Sequence, residues 1–361
     1  MIPLAAVLGP ALVADAQEPA LQVSGGLTMV GLHPDDARIP DDQTLSADLF
    51  VERSSDRGRW LVYIEGNSSL DAQAASTILI EANADAGTAL DPDRNGRIQI
   101  SELNYQFWPR DGDRLTVGLL DSSGYLDRTR ITNDENLQFL GASFVNNPTI
   151  EFPDYTIGLV YEKPRLAGKP QINAVLTSSN GLADNPNLSY SQLLEFTDGD
   201  KGVFAAIGLG WPEQAHLTRV GAWVNTRSHT ALAGNGATNK DNYGVYAVHG
   251  RSWGSHAVNL RIGLANPEVS QGSGFSALAY RYRWRAHAVG VGIARTFVST
   301  EETDPDLDDS TQLEIFGRFT LNESFHLTVS IQKLIRSGFS ARTEDPRHSI
   351  LASGLRIHYA F

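Results

Sequence analysis

Sixteen stretches of this 361-residue chain alternate apolar residues with polar or small ones, and the segments joining them are short and long in turn. The stretches run roughly over 20–32, 44–53, 58–66, 96–108, 113–121, 154–163, 170–178, 202–210, 216–227, 242–251, 255–265, 274–284, 286–298, 311–321, 324–334 and 348–361. Side chains of an extended chain point to opposite faces with period two, so each stretch carries one oily face and one polar face. Tight turns at one end, long loops at the other and an even strand count describe an up-and-down barrel rather than a soluble sandwich. The expected fold is therefore all-β, a transmembrane antiparallel up-and-down β-barrel of about 16 strands, with short helices in inward-folded extracellular loops. Most stretches are nine to thirteen residues long. That suits tilted membrane strands of about 9–11 residues. Even parity places both termini at the tight-turn end, which is the periplasmic end in a bacterial outer membrane.

The individual stretches show what each face must meet. In 311–321, Leu313, Ile315, Gly317, Phe319 and Leu321 point one way, and Gln312, Glu314, Phe316, Arg318 and Thr320 the other. In 255–265, Val258, Leu260, Ile262 and Leu264 oppose Asn259, Arg261 and Gly263. Tyr280, Tyr282 and Trp284 form an aromatic row opposite Arg281 and Arg283, as expected of a girdle at headgroup level. A charge facing hydrocarbon near the midplane costs about 2–4 kcal/mol, so these arginines belong to a wet lumen or a rim. The final stretch puts Leu351, Leu355, Ile357, Tyr359 and Phe361 on one face and ends on the aromatic residue. A closing strand of that kind engages the barrel-assembly machinery through Phe361.

Composition agrees. The mean hydropathy is −0.22 and no run of ~20 apolar residues is present, so no helix of this chain spans a membrane. Strands expose only alternate residues to lipid, which keeps a barrel's mean hydropathy low. The chain has no cysteine, which removes disulfides, thiolate metal sites and cysteine nucleophiles. A net charge of −13 argues against nucleic acid as a partner. Residues 2–14 are apolar and small, and Ala14-Asp15-Ala16 is an A-x-A cleavage signal before Gln17. Residues 1–16 read as a signal-peptide remnant without its basic start, and 17–361 as one barrel domain.

Two long loops carry more than loop residues. Ser69 to Asn83 is alanine-rich and holds Ile78, Leu79 and Ile80, a short helix by composition. Thr132 is followed three residues on by Glu135, then by Leu137, Phe139 and Leu140. That is a capping-box signature for a helix over Thr132 to Val145. An apolar helix in an external loop has a place to hide inside the barrel mouth, where it narrows the channel.

From Gly112 to Pro164 the chain reads GDRLTVGLLDSSGYLDRTRITNDENLQFLGASFVNNPTIEFPDYTIGLVYEKP, and upstream stands Asn95-Gly96-Arg97-Ile98-Gln99-Ile100-Ser101-Glu102-Leu103-Asn104-Tyr105. The Asp-Ser-Ser-Gly break, the Asn-Asp-Glu-x-x-x-Phe-Leu segment, Asn-Asn-Pro-Thr and Pro-Asp-Tyr-x-x-Gly are similar to the carbohydrate-selective porin family (OprB-like) of Gram-negative outer membranes. The motif-level likeness covers about 70 residues. It implies a sixteen-stranded barrel with inward-folded loops, diffusive passage of sugars, and the homotrimer typical of such porins. The chain is shorter than typical members, which puts the loops and the narrowest section in question.

Alternation places Arg114, Arg261, Arg281, Arg283, Arg318 and Arg356 on the lumen side, opposite Asp121, Asp127, Asp134 and Glu135 of the inward loop. Planar guanidinium forks bridge paired sugar hydroxyls and stack on rings. Opposed charges across a water-filled gap select polar solutes. The same arginines also suit a purely structural task, such as pairing with Glu314. Trp108, Tyr105 and Phe107 read as girdle or as a sugar-stacking face. Asp91, Asp93, Asn95, Arg97 and Glu102 occupy the ligand positions of a calcium loop with Gly96 at its turn. No helix follows, so the alternative is a turn opening a strand. No cofactor other than such a Ca²⁺ is expected.

No Gly-x-Ser-x-Gly elbow or His-Glu-x-x-His pair occurs, and the expectation is a channel rather than an enzyme. It passes sugars and similar small polar solutes through an arginine-lined, loop-constricted, water-filled lumen in contact with membrane lipid and lipopolysaccharide. A general or anion-selective porin is the alternative, and a plugged structural or adhesive barrel the second.

Overall fold

The computed structural model describes residues 21–87, 89–91, 93–109, 112–166, 169–182, 190–196, 201–213, 215–233, 240–305, 307–336 and 349–361, with the side chain of Lys240 left aside. The cleavage signal before Gln17 lies outside them. Sixteen strands follow in chain order: β1 (Leu21–Pro34), β2 (Asp42–Ser55), β3 (Gly58–Asn67), β4 (Arg97–Phe107), β5 (Arg114–Leu120), β6 (Thr156–Lys163), β7 (Gln171–Ser178) and β8 (Val203–Pro212), then β9 (His216–His229), β10 (Lys240–Trp253), β11 (His256–Ala265), β12 (Gly272–Trp284), β13 (His287–Val298), β14 (Ser310–Thr320), β15 (Phe325–Ile335) and β16 (Ser349–Ala360). Each pairs antiparallel with its chain neighbours, and β16 returns to β1 to close the ring, with Gly26 opposite Ala360 and Pro34 opposite Ala352. Closure leaves no strand at the end of the sheet to template aggregation. It is sealed at the tight-turn end by Gly25 and Phe361, which exchange backbone hydrogen bonds of 3.1 and 3.0 Å.

The exterior is the oily face that period two calls for. Leu260, Leu278, Ile293, Ile315, Ile331 and Leu355 are all exposed, in a band that circles the wall. A continuous apolar belt of that size is stable only against lipid. Aromatic side chains gather beside the tight turns. Trp60 and Tyr105 lie 4.7 Å apart, Trp253 stacks on His256 at 5.5 Å, and Phe325 meets Tyr359 at 4.9 Å. Tyr105 and Phe107 therefore belong to the outer girdle, in contact at 4.4 Å, and are no part of a lumen stacking face.

Three short helices lie in loops: α1 (Ala75–Ile78), α2 (Ser123–Leu126) and α3 (Ala142–Val145). The helix expected in the β3–β4 loop is present as α1 and a 3-10 turn at Ile80–Ala82. The helix expected to start at Thr132 is not formed; only its last turn, α3, is helical. Two causes are visible. Asn133 sits in the left-handed region with φ 61, which ends a right-handed turn. The carbonyls of Glu135, Leu137 and Gln138 accept hydrogen bonds from wall arginines, and so are not free for an intrahelical ladder.

The loop of residues 121–155, here the inner loop, fills much of the lumen, and the wall is shaped to receive it. On β12 and β13 the inward positions include Ala277, Ala279, Ala288, Gly290, Gly292 and Ala294. Against these small residues pack Ile131, Phe139 and Phe144 of the inner loop, with Phe275 and Phe316 of the wall. Phe139 meets Phe144 at 4.8 Å and stands edge-on to Phe316 at 4.9 Å. A Cβ at Gly292 would come within 2.6 Å of the Phe144 ring, so the absence of a side chain there is what admits the loop. A second cluster joins Leu126 and Ile150 to Val160, Val175, Phe204, Trp223 and Val248 of β6–β10. A third seats Leu79 and Ala82 of the β3–β4 loop, with Leu140, on Val30, Leu334 and Ile350.

Candidate functional site: the constricted lumen

Arginines hold the inner loop. Arg261 of β11 is wholly buried. Its Nη1 donates to Asp127 Oδ2 at 2.6 Å and to the carbonyl of Val145 at 3.2 Å, and its Nη2 to the carbonyl of Ser143 at 2.6 Å. One guanidinium thereby ties the outgoing and returning limbs of the loop together. Arg281 donates to Gln138 Oε1 at 3.1 Å, Arg318 to the Leu137 carbonyl at 2.7 Å, and Arg356 to the carbonyls of Glu135 and, at 2.7 Å, Gln138. The planar fork suits paired carbonyls as well as it suits sugar hydroxyls. Glu314 completes the seat by accepting the backbone N–H groups of Leu140 (2.9 Å) and Gly141 (2.8 Å).

The remaining lumen candidates are placed differently. Arg114 on β5 stands in register with Glu162 of β6. Arg283, nearer the tight turns, is exposed. Asp121 folds the root of the loop, accepting the N–H and hydroxyl of Ser123, both at 2.8 Å. Asp134 caps the single turn after it through the Leu137 N–H at 2.8 Å. Glu135, next in the chain, has a buried carboxyl and its carbonyl accepts from Arg356. The structure brings most of these arginines and acids together around one loop.

Several members of the site escaped the sequence reading. Arg219 of β9 donates to the Leu126 carbonyl at 2.7 Å. Gln312 and Gln332 reach the carbonyls of Glu81 and Ala82, each at 2.7 Å. On the β2–β3 wall, Phe50 of β2 stacks on Tyr63 of β3 at 4.3 Å. Tyr63 donates to Asp48 at 2.6 Å and meets the edge of Tyr155 at 5.9 Å. Tyr155 is held at φ 46, a conformation costly for a bulky residue and kept where surroundings impose it. Glu65 accepts the Ser101 hydroxyl at 2.7 Å on the same wall. The period-two pattern through Asp48, Phe50, Tyr63 and Glu65 was the available signal.

The calcium-loop residues do not converge. Asp91 Oδ1 accepts the N–H of Asn95 at 2.8 Å, closing a turn, and Arg94 within it has φ 61. Arg97 and Glu102 have moved onto β4, where Arg97 donates to Gln99 at 2.6 Å and Glu102 accepts from Asn104 at 3.1 Å. Among the described residues no group of three His, Cys, Asp or Glu side chains is arranged to hold a metal.

Burial changes the protonation of two loop acids. It pushes the carboxyl of Glu135 up to about 8, helped by the neighbouring charge of Asp85, and that of Asp85 up to about 7 against the lowering effect of the Ser46 hydroxyl. Unfolded, both groups titrate near an ordinary ~4, so between that pH and the folded values the folded chain keeps protons the unfolded chain has lost. Their contribution to stability is complete below the unfolded values and is lost as pH rises through 7 to 8. The expected outcome is faster protease nicking within 68–96 and 121–155 at pH 9 than at pH 5. Rates are normalised to cleavage of an unfolded substrate at each pH; equal rates would contradict the assignment.

No family model and no curated protein matches the chain. Solved structures do. The high-pH structure of OprB from Pseudomonas putida has a TM-score of 0.70 at 12% identity, covering 95% of this chain and 94% of that one. A loop-deletion mutant of OmpT, an outer membrane protein of Vibrio cholerae, has a TM-score of 0.57 at 10% identity, covering 96% and 100%. A double mutant of the Rh. blastica porin has a TM-score of 0.53 at 12% identity, covering 95% and 100%. At these identities the likeness shows the fold, and the fold is that of bacterial porins.

Proposed function

We propose that this chain is an outer-membrane diffusion channel of a Gram-negative bacterium that passes small polar solutes, sugars among them, with its tight-turn end in the periplasm. One observation carries the reading: a long loop lies inside a closed sixteen-stranded wall, fixed by side chains of that wall. A barrel of this strand number is wide enough for water, and an inward loop turns it into a sieve. The stacked Phe50–Tyr63 pair beside the Asp48 carboxylate offers a sugar one flat apolar face and hydrogen-bond acceptors. Arg114 and Arg283 are the basic groups best placed to meet a solute directly.

Liposome swelling with purified, refolded protein tests the reading. Swelling in glucose supports a channel, and faster swelling in glucose than in amino acids of equal size supports a sugar preference. Equal rates leave a general porin. No swelling, with the barrel folded by circular dichroism, replaces the channel by a plugged barrel.

A further inference from the structure

We infer that the outer wall of β9–β13 holds an anionic glycerophospholipid at its tight-turn end, its phosphate taken by Arg251, Arg285 and a row of histidines. The lipid belongs to the membrane leaflet at that end, the periplasmic leaflet in the reading above. The inference needs the barrel to stand in a bilayer and is independent of what the lumen passes. Period two puts His249 and Arg251 of β10 on the exterior with the exposed Tyr243 and Val245, since Tyr246 and Val248 are buried inside. Arg251 lies across from His216 of β9 and is exposed. Arg285 is the corner of the β12–β13 hairpin, held at φ 55 and exposed. In a chain of net charge −13, neither arginine has an acidic partner among the described residues. The acids of the neighbouring turns are Glu213 and Glu323. Glu213 is already engaged by Arg165 at 3.2 Å and by His216 at 3.4 Å, and Glu323 belongs to the β14–β15 turn beyond.

The histidines of this wall are set to donate outward. The N–H of Thr320 donates to Nδ1 of His287 at 3.2 Å, so that nitrogen carries the lone pair and Nε2 the proton. Nδ1 of His249 is engaged by the Thr218 hydroxyl at 2.9 Å, and Nδ1 of His256 by the Tyr280 hydroxyl at 2.6 Å. With those hydroxyls donating, Nε2 carries the proton there too. Among the described residues the Nε2 atoms of all three have no protein partner, and none of them is buried. An unbroken line of rings joins the histidines across the wall. It runs through Trp253, His256, Tyr282, Trp284, His287 and Phe319, with successive centroids 5.5, 5.1, 6.3, 5.5 and 6.1 Å apart. Trp and Tyr fix this level at the lipid headgroups. An ordinary girdle offers rings alone, whereas here N–H donors alternate with the rings and two unpaired guanidinium forks stand among them. Such a fork takes two phosphate oxygens at once, and basic groups at a membrane surface gather anionic lipid. Further along the same strands Leu260, Leu278 and Val291 are exposed, an apolar path for the acyl chains.

The test is native mass spectrometry of the refolded protein in detergent, offered dioleoyl-phosphatidylglycerol and dioleoyl-phosphatidylcholine in equal amounts. The expected result is a phosphatidylglycerol adduct favoured by about fivefold or more. The double variant Arg251→Gln, Arg285→Gln should bring the two lipids to about parity. His287→Phe keeps the ring and removes one donor, and should lower the preference by about half. It serves as the second test if the double variant does not fold. A control pair, Arg53→Gln and Arg57→Gln, removes the same charge from the exposed β2–β3 rim across the barrel and should leave the preference unchanged. Equal binding of both lipids by the parent would overturn the inference and leave an ordinary aromatic girdle. A preference that survives in the folded Arg251, Arg285 and His287 variants, or that falls as far in the control, would overturn the site. None of these results bears on solute flux, which the swelling assay reads separately.

Discussion

Arg261→Ala should destabilise the barrel by about 3–5 kcal/mol, because it leaves the Asp127 carboxylate buried without its countercharge. Both members of the pair have no exposed side-chain surface. The same change frees the carbonyls of Ser143 and Val145, so both limbs of the inner loop come loose from β11. Urea unfolding in detergent reads the first effect, and single-channel current noise with a raised solute size limit reads the second. The double variant Arg261→Met, Asp127→Asn separates them. It should recover most of the lost stability, since no charge stays buried, yet keep the raised size limit. A single variant as stable and as quiet as the parent would show that the guanidinium neither compensates Asp127 nor restrains the loop.

Phe139→Ala should cost about 3–5 kcal/mol by leaving a cavity where three aromatic rings now meet. Phe139 touches Phe144 and Phe316 and lies over Gly292. Collapse around the gap is limited, because the wall beneath consists of alanines and glycines held in a closed sheet. The loss therefore falls on the loop, and the expected signature is a low-temperature transition ahead of an almost unchanged melting of the barrel. Differential scanning calorimetry distinguishes that from a single shifted transition, which would mean that loop and wall unfold as one unit.

How far the sequence speaks differs sharply between wall and lumen. All sixteen strands coincide with alternating stretches, since the apolar face of each is dictated by lipid and survives as period two. The inward positions obey no such rule. Arginines there look alike in sequence, and only the path of the inner loop decides that Arg261 and Arg356 serve its backbone while Arg283 stays exposed. Nor does the capping-box signal at Thr132 survive, because a local preference worth about 1 kcal/mol yields to several charge-assisted hydrogen bonds from the wall. The alanines and glycines at 277, 279, 288, 290, 292 and 294 were a legible hint. Small residues on the polar face of two adjacent strands mark where something other than water lies against them.

Strand β5 ends at Leu120, and its pairing with β4 begins only at Leu103, so residues 97–102 of β4 have no strand beside them on that side. The hydroxyl of Tyr190, from the β7–β8 loop, takes the place of that strand at one residue, accepting the N–H of Ile100 at 2.9 Å and donating to its carbonyl at 3.1 Å. Mechanically the wall is a closed hoop whose ladder is interrupted between β4 and β5 above its lower rim, where Tyr190 bridges to β4. The interruption lies beside the root of the inner loop at Asp121, so the wall gives up part of its hydrogen-bond ladder just where the loop leaves it.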